Sequence, residues 1–182
     1  MGSEATCAEG EMKCELLIGC GSSRDKRLKC DDTNDWSNLT TLDYNADHKP
    51  DIVWDLMHPD VLPTEWVDKF DEIHAYEVLE HLGQQGDYRL FFRQFTAFHR
   101  ALKPGGHFVA TCPSRHSVWA WGDPSHTRIM QAEQLVFLRQ SSYEAVGKTS
   151  MSDFRNIYKA DFDIVAVDEN QDVFNFVLRA RK

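Results

Sequence analysis

The chain alternates short apolar runs with polar, turn-rich stretches along most of its length. Residues 16–18 are continuously apolar, as expected for a parallel strand that is covered on both faces. Six further runs have the composition of strands, and the last two lie close enough in sequence to predict an antiparallel hairpin that turns at residues 168–172. These six runs span residues 39–42, 52–54, 70–76, 107–112, 162–167 and 173–180.

Helices are predicted where apolar residues recur every three to four positions. The longest follows Asp87, a predicted N-cap, and carries one apolar stripe over residues 90–102. The sequence Lys-Pro-Gly-Gly at residues 103–106 ends this helix. Shorter helices are predicted over residues 22–28, 65–69 (with Thr64 as N-cap) and 131–140, and a turn over residues 32–35. The basic residues of the first short helix and the loop after it are assigned to a solvated face: Arg24, Lys26, Arg27 and Lys29.

The order of these elements predicts the fold class. Strands that alternate with helices and then close in a hairpin indicate a three-layer, mostly parallel α/β domain. A chain of 182 residues suits one such domain with a proper core. We therefore predict a single domain over residues 13–182, preceded by a flexible, polar N-terminal arm over residues 1–12.

Charge and cysteine content narrow the range of partners and compartments. The net charge of −9 disfavours broad binding to nucleic acid or to an anionic membrane. No apolar segment approaches membrane-spanning length, and the N-terminus lacks the hydrophobic stretch of a signal peptide. An odd number of cysteines without a Cys-x-x-Cys pair favours reduced thiols over a disulfide framework or a zinc site. The cysteines are Cys7, Cys14, Cys20, Cys30 and Cys112. We expect a cytoplasmic protein without a bound metal.

Two glycines after the first predicted strand favour a ligand site. Gly19 and Gly21 allow a sharp turn and leave no Cβ in the way of a ligand. Asp43 ends the second predicted strand, 22 residues after Gly21, where the acidic residue of dinucleotide-type folds binds ribose hydroxyls. Arg24 stands where the nicotinamide fingerprint has its third glycine. This departure predicts a nucleoside ligand without phosphates and weak binding of nicotinamide dinucleotides.

Five short segments of the chain form a recognisable series: Leu17-Ile18-Gly19-Cys20-Gly21, Leu42-Asp43, Asp55-Leu56, Glu77-Val78-Leu79-Glu80-His81-Leu82 and Leu102-Lys103-Pro104-Gly105-Gly106. In their order and spacing they resemble the class I S-adenosylmethionine-dependent methyltransferases, over most of the chain from residue 15 to the end of the fifth predicted strand. The resemblance implies a Rossmann-like, seven-stranded sheet with an antiparallel last strand, which agrees with the predicted hairpin. It also implies S-adenosyl-L-methionine as methyl donor and S-adenosyl-L-homocysteine as product.

The same resemblance assigns positions in the cofactor site. Gly19 and Gly21 would approach the methionine and ribose portions of the cofactor, and Asp43 would accept hydrogen bonds from both ribose hydroxyls. The carboxylate of Asp55 would lie near the adenine amino group, and Glu77 near the methionine end. The complete predicted set is Gly19, Cys20, Gly21, Asp43, Tyr44, Asp55, Leu56 and Glu77.

Few catalytic side chains are expected, because a sulfonium already contains a good leaving group and the protein mainly aligns the reactants. An amine, hydroxyl or carbon acceptor can also need a base, for which imidazoles are the candidates. His81 and His126 are the predicted catalytic residues, and His116 is a further candidate. The alternative for His81 is a passive role, in which it orders the turn after the fourth strand or borders the pocket.

The connection after the fifth predicted strand is the candidate acceptor site. Ligands gather at this edge of open α/β sheets, and long loops in compact domains are often functional. Trp119, Trp121 and Arg128 are predicted to bind the substrate. The alternative is a lid packed by its own tryptophans, in which Asp123 pairs with Arg128.

The predicted function is transfer of a methyl group from S-adenosylmethionine to an unidentified acceptor. A small molecule or a protein side chain is favoured over nucleic acid because the chain is acidic. Two alternatives remain. One is a module that binds S-adenosylmethionine or S-adenosylhomocysteine without catalysis, and the other is an aminopropyl-type transferase. The sequence leaves the oligomeric state open.

Overall fold

A computed structural model describes residues 12–30 and 35–182 of the chain. Its centre is a seven-stranded sheet with the strand order β3-β2-β1-β4-β5-β7-β6. Residues 1–11, which include Cys7 and most of the predicted N-terminal arm, lie outside the described residues, as does most of the turn predicted at 32–35. The strands are β1 Cys14–Ile18, β2 Asn38–Asp43, β3 Ile52–Val53, β4 Phe70–Tyr76, β5 Leu102–Pro113, β6 Asp161–Glu169 and β7 Val173–Arg181.

The strand directions confirm the predicted fold class. The β1 strand pairs in parallel with β2 and β4, β2 pairs in parallel with β3, and β4 pairs in parallel with β5. The last strand, β7, is antiparallel to both β5 and β6 and forms the predicted hairpin with β6. Because β1 and β4 lie side by side at the middle of the sheet, the carboxyl ends of β1, β2 and β4 meet at one edge.

The helices are α1 Tyr88–Ala101, α2 Val118–Gly122 and α3 Ala132–Leu135. Asp87 begins α1 as predicted, since its side chain accepts a hydrogen bond from the Leu90 amide at 3.0 Å. The buried stripe of α1 packs on the sheet, where the Phe98 and Phe108 rings stack with centroids 4.8 Å apart. Within the described residues no helix is both long and apolar enough to span a bilayer.

Three predicted helices do not form as expected. Residues 22–28 and 65–69 contain no helix in the structure. The helix predicted at 131–140 is only α3, followed by 3₁₀ turns at Val136–Leu138 and Gln140–Ala145. At the end of this segment the Gln140 amide donates to Asp161 Oδ1 at 2.8 Å, so this amide is withdrawn from an α-helical ladder.

A buried polar network replaces the missing helix between β1 and β2. The Lys26 ammonium lies 2.6 Å from Glu15 Oε1 and 3.2 Å from Glu72 Oε2, and all three side chains are buried. Glu72 Oε2 also lies 2.9 Å from His74 Nε2, and His74 Nδ1 lies 2.6 Å from the Tyr76 hydroxyl. The assignment of Lys26 to a solvated helix face was therefore wrong, because its charge is neutralised inside the fold.

This network attaches the loop segments between β1 and β2 to the face of the sheet opposite α1. The Leu28 amide donates to the Tyr76 hydroxyl at 3.3 Å. A small apolar cluster lies beside the network; it includes Leu17 and Val109, and the partly buried Trp36 packs against it. The third layer of the domain is thus built here from loop segments. Polar anchors hold these segments in place of an apolar helical stripe.

Candidate functional site

The glycine turn at the end of β1 has the backbone conformation that only glycine adopts without strain. Gly19 and Gly21 have φ of 58° and 51°. A Cβ on Gly19 would lie 2.5 Å from Val78 Cγ2, so this glycine also lets the chain after β4 approach closely. The positive φ explains glycine at both positions, and the close approach of Val78 is a second requirement at Gly19 alone.

Asp43, at the end of β2, is the central carboxylate of the site. Its Oδ2 accepts a hydrogen bond from the Gly21 amide at 2.8 Å, and its Oδ1 accepts one from the Asn45 amide, also at 2.8 Å. Each oxygen keeps further lone-pair capacity, because a carboxylate has about four acceptor positions. The side chain is thus fixed in place and still able to accept two hydrogen bonds from a ligand.

A cavity of about 490 Å³ opens beside Asp43, and we call it the main cavity. Six of the eight predicted cofactor residues line it, and so does His81. The other two, Cys20 and Gly21, line an adjoining cavity of about 260 Å³ that shares Gly19 and Glu77 with the first. The structure therefore brings the predicted set together around one edge of the sheet. The residues that line the main cavity are Gly19, Leu42, Asp43, Tyr44, Trp54, Asp55, Leu56, Met57, Glu77, Val78, His81, Leu82 and Ser125.

Several lining residues were missed by the sequence analysis. Trp54 and Met57 flank the predicted pair Asp55 and Leu56, so proximity in sequence was an available signal. Trp54 is held in place by a hydrogen bond from its indole nitrogen to the Val61 carbonyl at 2.8 Å. Together with the buried Leu56, it gives this end of the main cavity an apolar wall suited to a planar ring.

Glu77 follows β4 and occupies the opposite part of the main cavity. Its φ is 55°, in the left-handed region that a residue with a Cβ rarely adopts. Its Oε1 accepts a hydrogen bond from the Thr111 hydroxyl at 2.7 Å. Strained backbone of this kind concentrates at ligand sites, because the surrounding structure must hold it.

The two predicted catalytic histidines lie together although 45 positions separate them in the chain. Their ring centroids are 4.7 Å apart in an edge-on arrangement. Backbone hydrogen bonds from Thr127 and Arg128 to the Glu80 carbonyl, at 2.9 and 3.2 Å, dock the later segment on the turn that contains His81. His116 does not line the main cavity.

Glu80 lies beneath His81 and was given no role in the sequence analysis. Its side chain is buried, and burial raises the pKa of its carboxyl to about 8. Among the described residues, neither carboxylate oxygen has a hydrogen-bond partner. A buried carboxyl without partners is costly in a folded protein, so this residue calls for a functional explanation.

The structure gives only partial support to the predicted acceptor wall. Trp119 and Trp121 both lie in α2 and are 66% and 74% exposed, so the alternative of a lid packed by its own tryptophans is wrong. The predicted pairing of Asp123 with Arg128 is also wrong. Asp123 Oδ1 accepts hydrogen bonds from the Ser125 amide and hydroxyl.

Arg128 lies away from the main cavity. Its side chain is buried, and its Nε donates to the Leu79 carbonyl at 2.7 Å. Its guanidinium lies over the Phe91 ring at 5.9 Å, and burial lowers its pKa to about 10. The structure therefore places this predicted substrate residue underneath the Leu79–His81 turn, in a structural position.

The chain after the glycine turn offers no helix N-terminus to a diphosphate. Arg24 Nη1 donates to the Gly21 carbonyl at 2.8 Å, and Nη2 donates to the His48 carbonyl at 2.9 Å. These bonds tie the turn to the loop after β2 and leave the arginine committed to backbone oxygens. The arrangement suits a nucleoside better than a dinucleotide.

No protein-family model and no curated protein matches the sequence. Solved structures with a similar fold include N-methyltransferase NodS from Bradyrhizobium japonicum WM9 in complex with S-adenosyl-L-homocysteine, at 16% identity and a TM-score of 0.55, covering 95% of this chain and 80% of that one. A SAM-dependent methyltransferase from Archaeoglobus fulgidus is similar at 16% identity and a TM-score of 0.54, covering 92% of this chain and 86% of that one. An S-adenosylmethionine-dependent methyltransferase from Mesorhizobium loti is similar at 17% identity and a TM-score of 0.51, covering 92% of this chain and 90% of that one.

Proposed function

We propose that this chain, which has the fold of class I S-adenosylmethionine-dependent methyltransferases, binds S-adenosylmethionine in the main cavity and transfers its methyl group to an acceptor. The observation that carries the proposal is the Asp43 carboxylate, held by the Gly21 and Asn45 amides beside the glycine turn. Its remaining lone pairs suit a ribose diol.

The other lining residues fit the rest of the ligand. Trp54 and Leu56 form an apolar wall for the adenine, and the Asp55 carboxylate lies beside them. The Glu77 carboxylate suits the ammonium group of the methionine portion. A volume of about 490 Å³ lies within the usual range for a nucleoside-sized ligand. When bound, S-adenosylmethionine supplies a methyl group activated by a sulfonium.

The acceptor side of the proposal rests on His81 and Ser125. Both line the main cavity next to the segment that carries Trp119 and Trp121. The exposed indoles offer apolar, planar surface to an acceptor. We propose a small molecule or a protein side chain as acceptor, because the chain is acidic. The alternatives of binding without catalysis, or of aminopropyl transfer, use the same cavity.

Calorimetry with S-adenosylhomocysteine tests the cofactor site. Asp43→Ala should weaken binding by about 1.5–3 kcal/mol, because it removes hydrogen bonds to a charged group. Asp47→Ala is the matched control, since Asp47 is an exposed carboxylate in the same loop and does not line the main cavity. Equal affinity in the Asp43 variant and the wild type would remove Asp43 from the site.

A second experiment separates the three activities. The protein is titrated with S-adenosylmethionine, S-adenosylhomocysteine and decarboxylated S-adenosylmethionine, and then assayed by mass spectrometry for methyl or aminopropyl transfer to an acceptor library. Methylated product supports the proposal. Tight binding without product across the library favours a binding module, and preference for the decarboxylated donor favours an aminopropyl transferase.

A further inference from the structure

Three potential metal-ligating side chains converge at the edge of the main cavity. Glu80, His81 and His126 each place one ligand atom within 4.8 Å of the others. Glu80 and His81 come from the turn after β4, whereas His126 comes from the segment after α2. Carboxylate and imidazole groups gathered from separate parts of a chain are a donor set that divalent metal ions use.

Both histidines are oriented in the way that metal-ligating histidines usually are. His81 Nδ1 lies 3.2 Å from the Ser125 carbonyl, and His126 Nδ1 lies 2.8 Å from the Trp119 carbonyl. A carbonyl only accepts, so each Nδ1 carries the proton and donates it, which leaves the Nε2 lone pair available. A hydrogen bond from the second ring nitrogen to a carbonyl fixes the tautomer and direction of a metal-binding imidazole.

The buried carboxylate of Glu80 is a second, independent reason to infer a metal site. The residue is 2% exposed, and within residues 12–30 and 35–182 neither carboxylate oxygen has a hydrogen-bond partner. His81 Nε2 is 3.9 Å from Glu80 Oε1, too far for a hydrogen bond but close enough for both atoms to share an ion. The charge of the buried Arg128 acts on this carboxyl, but the Arg128 Nε donates its hydrogen bond to the Leu79 carbonyl and not to Glu80.

A second carboxylate–histidine cluster in the same chain differs from this one in how its carboxylates are paired. Glu15, Glu72 and His74 are also close enough to hold an ion. There, however, the Lys26 ammonium already lies 2.6 Å from Glu15 Oε1 and 3.2 Å from Glu72 Oε2. The buried carboxylates of that cluster are therefore in direct contact with an ammonium group, whereas within the described residues no hydrogen bond reaches the Glu80 carboxylate.

We propose that Glu80, His81 and His126 form a binding site for one divalent transition-metal ion, such as Zn²⁺, Mn²⁺ or Co²⁺. Mixed imidazole and carboxylate donors suit these ions. The ligand atoms would draw in to about 2.0–2.2 Å from the ion. Three protein ligands leave at least one coordination position open, and the site adjoins the main cavity through His81. This role differs from the general-base role predicted for the two histidines, and it does not require methyl transfer.

The test is metal binding by the chelator-treated, full-length protein. Calorimetry with Zn²⁺ and Mn²⁺, and the visible absorption spectrum of added Co²⁺, should show one ion bound per chain. Glu80→Gln and His126→Ala should each weaken binding at least tenfold, since even changes to outer-shell groups cost 10–100-fold. His58→Ala is the matched control, because His58 lies 3.6 Å from Asp60 in an exposed histidine–carboxylate pair and should not affect the site.

An NMR measurement on the wild type tests the site even if a variant fails to fold. Zn²⁺ at an equimolar ratio should shift the imidazole NMR signals of His81 and His126 and leave those of His58 unchanged. The proposal is overturned if the wild type binds no ion at micromolar concentration. It is also overturned if Glu80→Gln and His126→Ala bind Zn²⁺ as tightly as the wild type, or if Zn²⁺ shifts the signals of neither ring.

Discussion

Gly19 shows how one residue can serve both the fold and the site. Its φ of 58° belongs to the left-handed region, and its missing Cβ leaves room for Val78, whose Cγ2 would be 2.5 Å away. Val78 also lines the main cavity, so the closeness of Gly19 to Val78 helps to set the shape of that cavity. Asp43 depends on the same turn, because it accepts a hydrogen bond from the Gly21 amide.

Gly19→Ala should therefore lower the free energy of unfolding by about 2–4 kcal/mol. The expected loss combines the strain of a left-handed alanine with overpacking against Val78. Urea denaturation measures it. Gly86→Ala is the control, because Gly86 also has a positive φ of 90° but no atom within 4 Å of an added Cβ. If the two variants lose equal stability, the contact with Val78 contributes nothing.

At the scale of elements, the segment between β1 and β2 differs most from expectation. The sequence predicts a short polar helix there, but the segment is held by Lys26 between Glu15 and Glu72. Burial opposes ionisation of Glu72, yet hydrogen bonds from His74 and Lys13 and the charge of Lys26 hold the pKa of its carboxyl well below the usual range. The ionised carboxylates and the ammonium thus stabilise one another inside the fold.

Removing the ammonium should leave two buried carboxylates without their cation. Lys26→Met is expected to destabilise the protein by about 3–5 kcal/mol, the usual cost of breaking a buried ion pair. The free energy of unfolding in urea measures the effect. Lys29→Met, at an exposed position of the same segment, should change it by less than about 0.5 kcal/mol. A similarly small loss in the Lys26 variant would contradict the structural role of the network.

The His74 ring in this network predicts a dependence of stability on pH. Burial lowers the pKa of His74 below its ordinary value of 6.5. The unfolded chain therefore binds a proton at a higher pH than the folded chain, so this contribution to stability is present above pH 6.5 and is lost as the pH falls below it. His74→Gln should flatten the decline measured by urea denaturation between pH 6.5 and about 5. His58→Gln, at an exposed site, should leave the slope unchanged.

At the scale of the whole molecule, the order of the strands decides where ligands gather. The glycine turn, Asp43, Asp55 and Glu77 follow four different strands, and the parallel sheet brings all four to one edge. The chain after the glycine turn then determines which nucleotide fits. Because no helix begins there, no row of free amides faces a diphosphate.

Nicotinamide dinucleotides should accordingly bind more weakly than S-adenosylhomocysteine. In thermal denaturation at matched ligand concentrations, S-adenosylhomocysteine should raise the melting temperature and NAD should raise it much less, since the stabilisation by a ligand grows with the logarithm of its concentration divided by its Kd. Asp43→Ala should reduce the shift with S-adenosylhomocysteine. An equal shift with NAD would overturn the predicted preference for a nucleoside without phosphates.

The sequence by itself predicted the strands, the hairpin and several of the residues that line the main cavity. Phe70–Tyr76 matches the fourth predicted strand at both ends, whereas β5 begins at Leu102, five residues before its predicted start at residue 107. These features are local: strand runs, a capping aspartate and glycines with positive φ each depend on a few adjacent residues. The residues around Asp43 were predicted to lie together because each follows a strand, and the fold class places such positions at one edge.

Only the tertiary structure decided which groups meet across long distances in the chain. It placed His126 against His81, buried Glu80 without a hydrogen-bond partner among the described residues and neutralised Lys26 between two carboxylates. It moved Arg128 under the Leu79–His81 turn and turned the amide of Gln140, at the end of the helix predicted at 131–140, toward Asp161. The physical reason is that burial and ion pairing depend on neighbours distant in sequence, whereas periodicity reports only on neighbours along the chain.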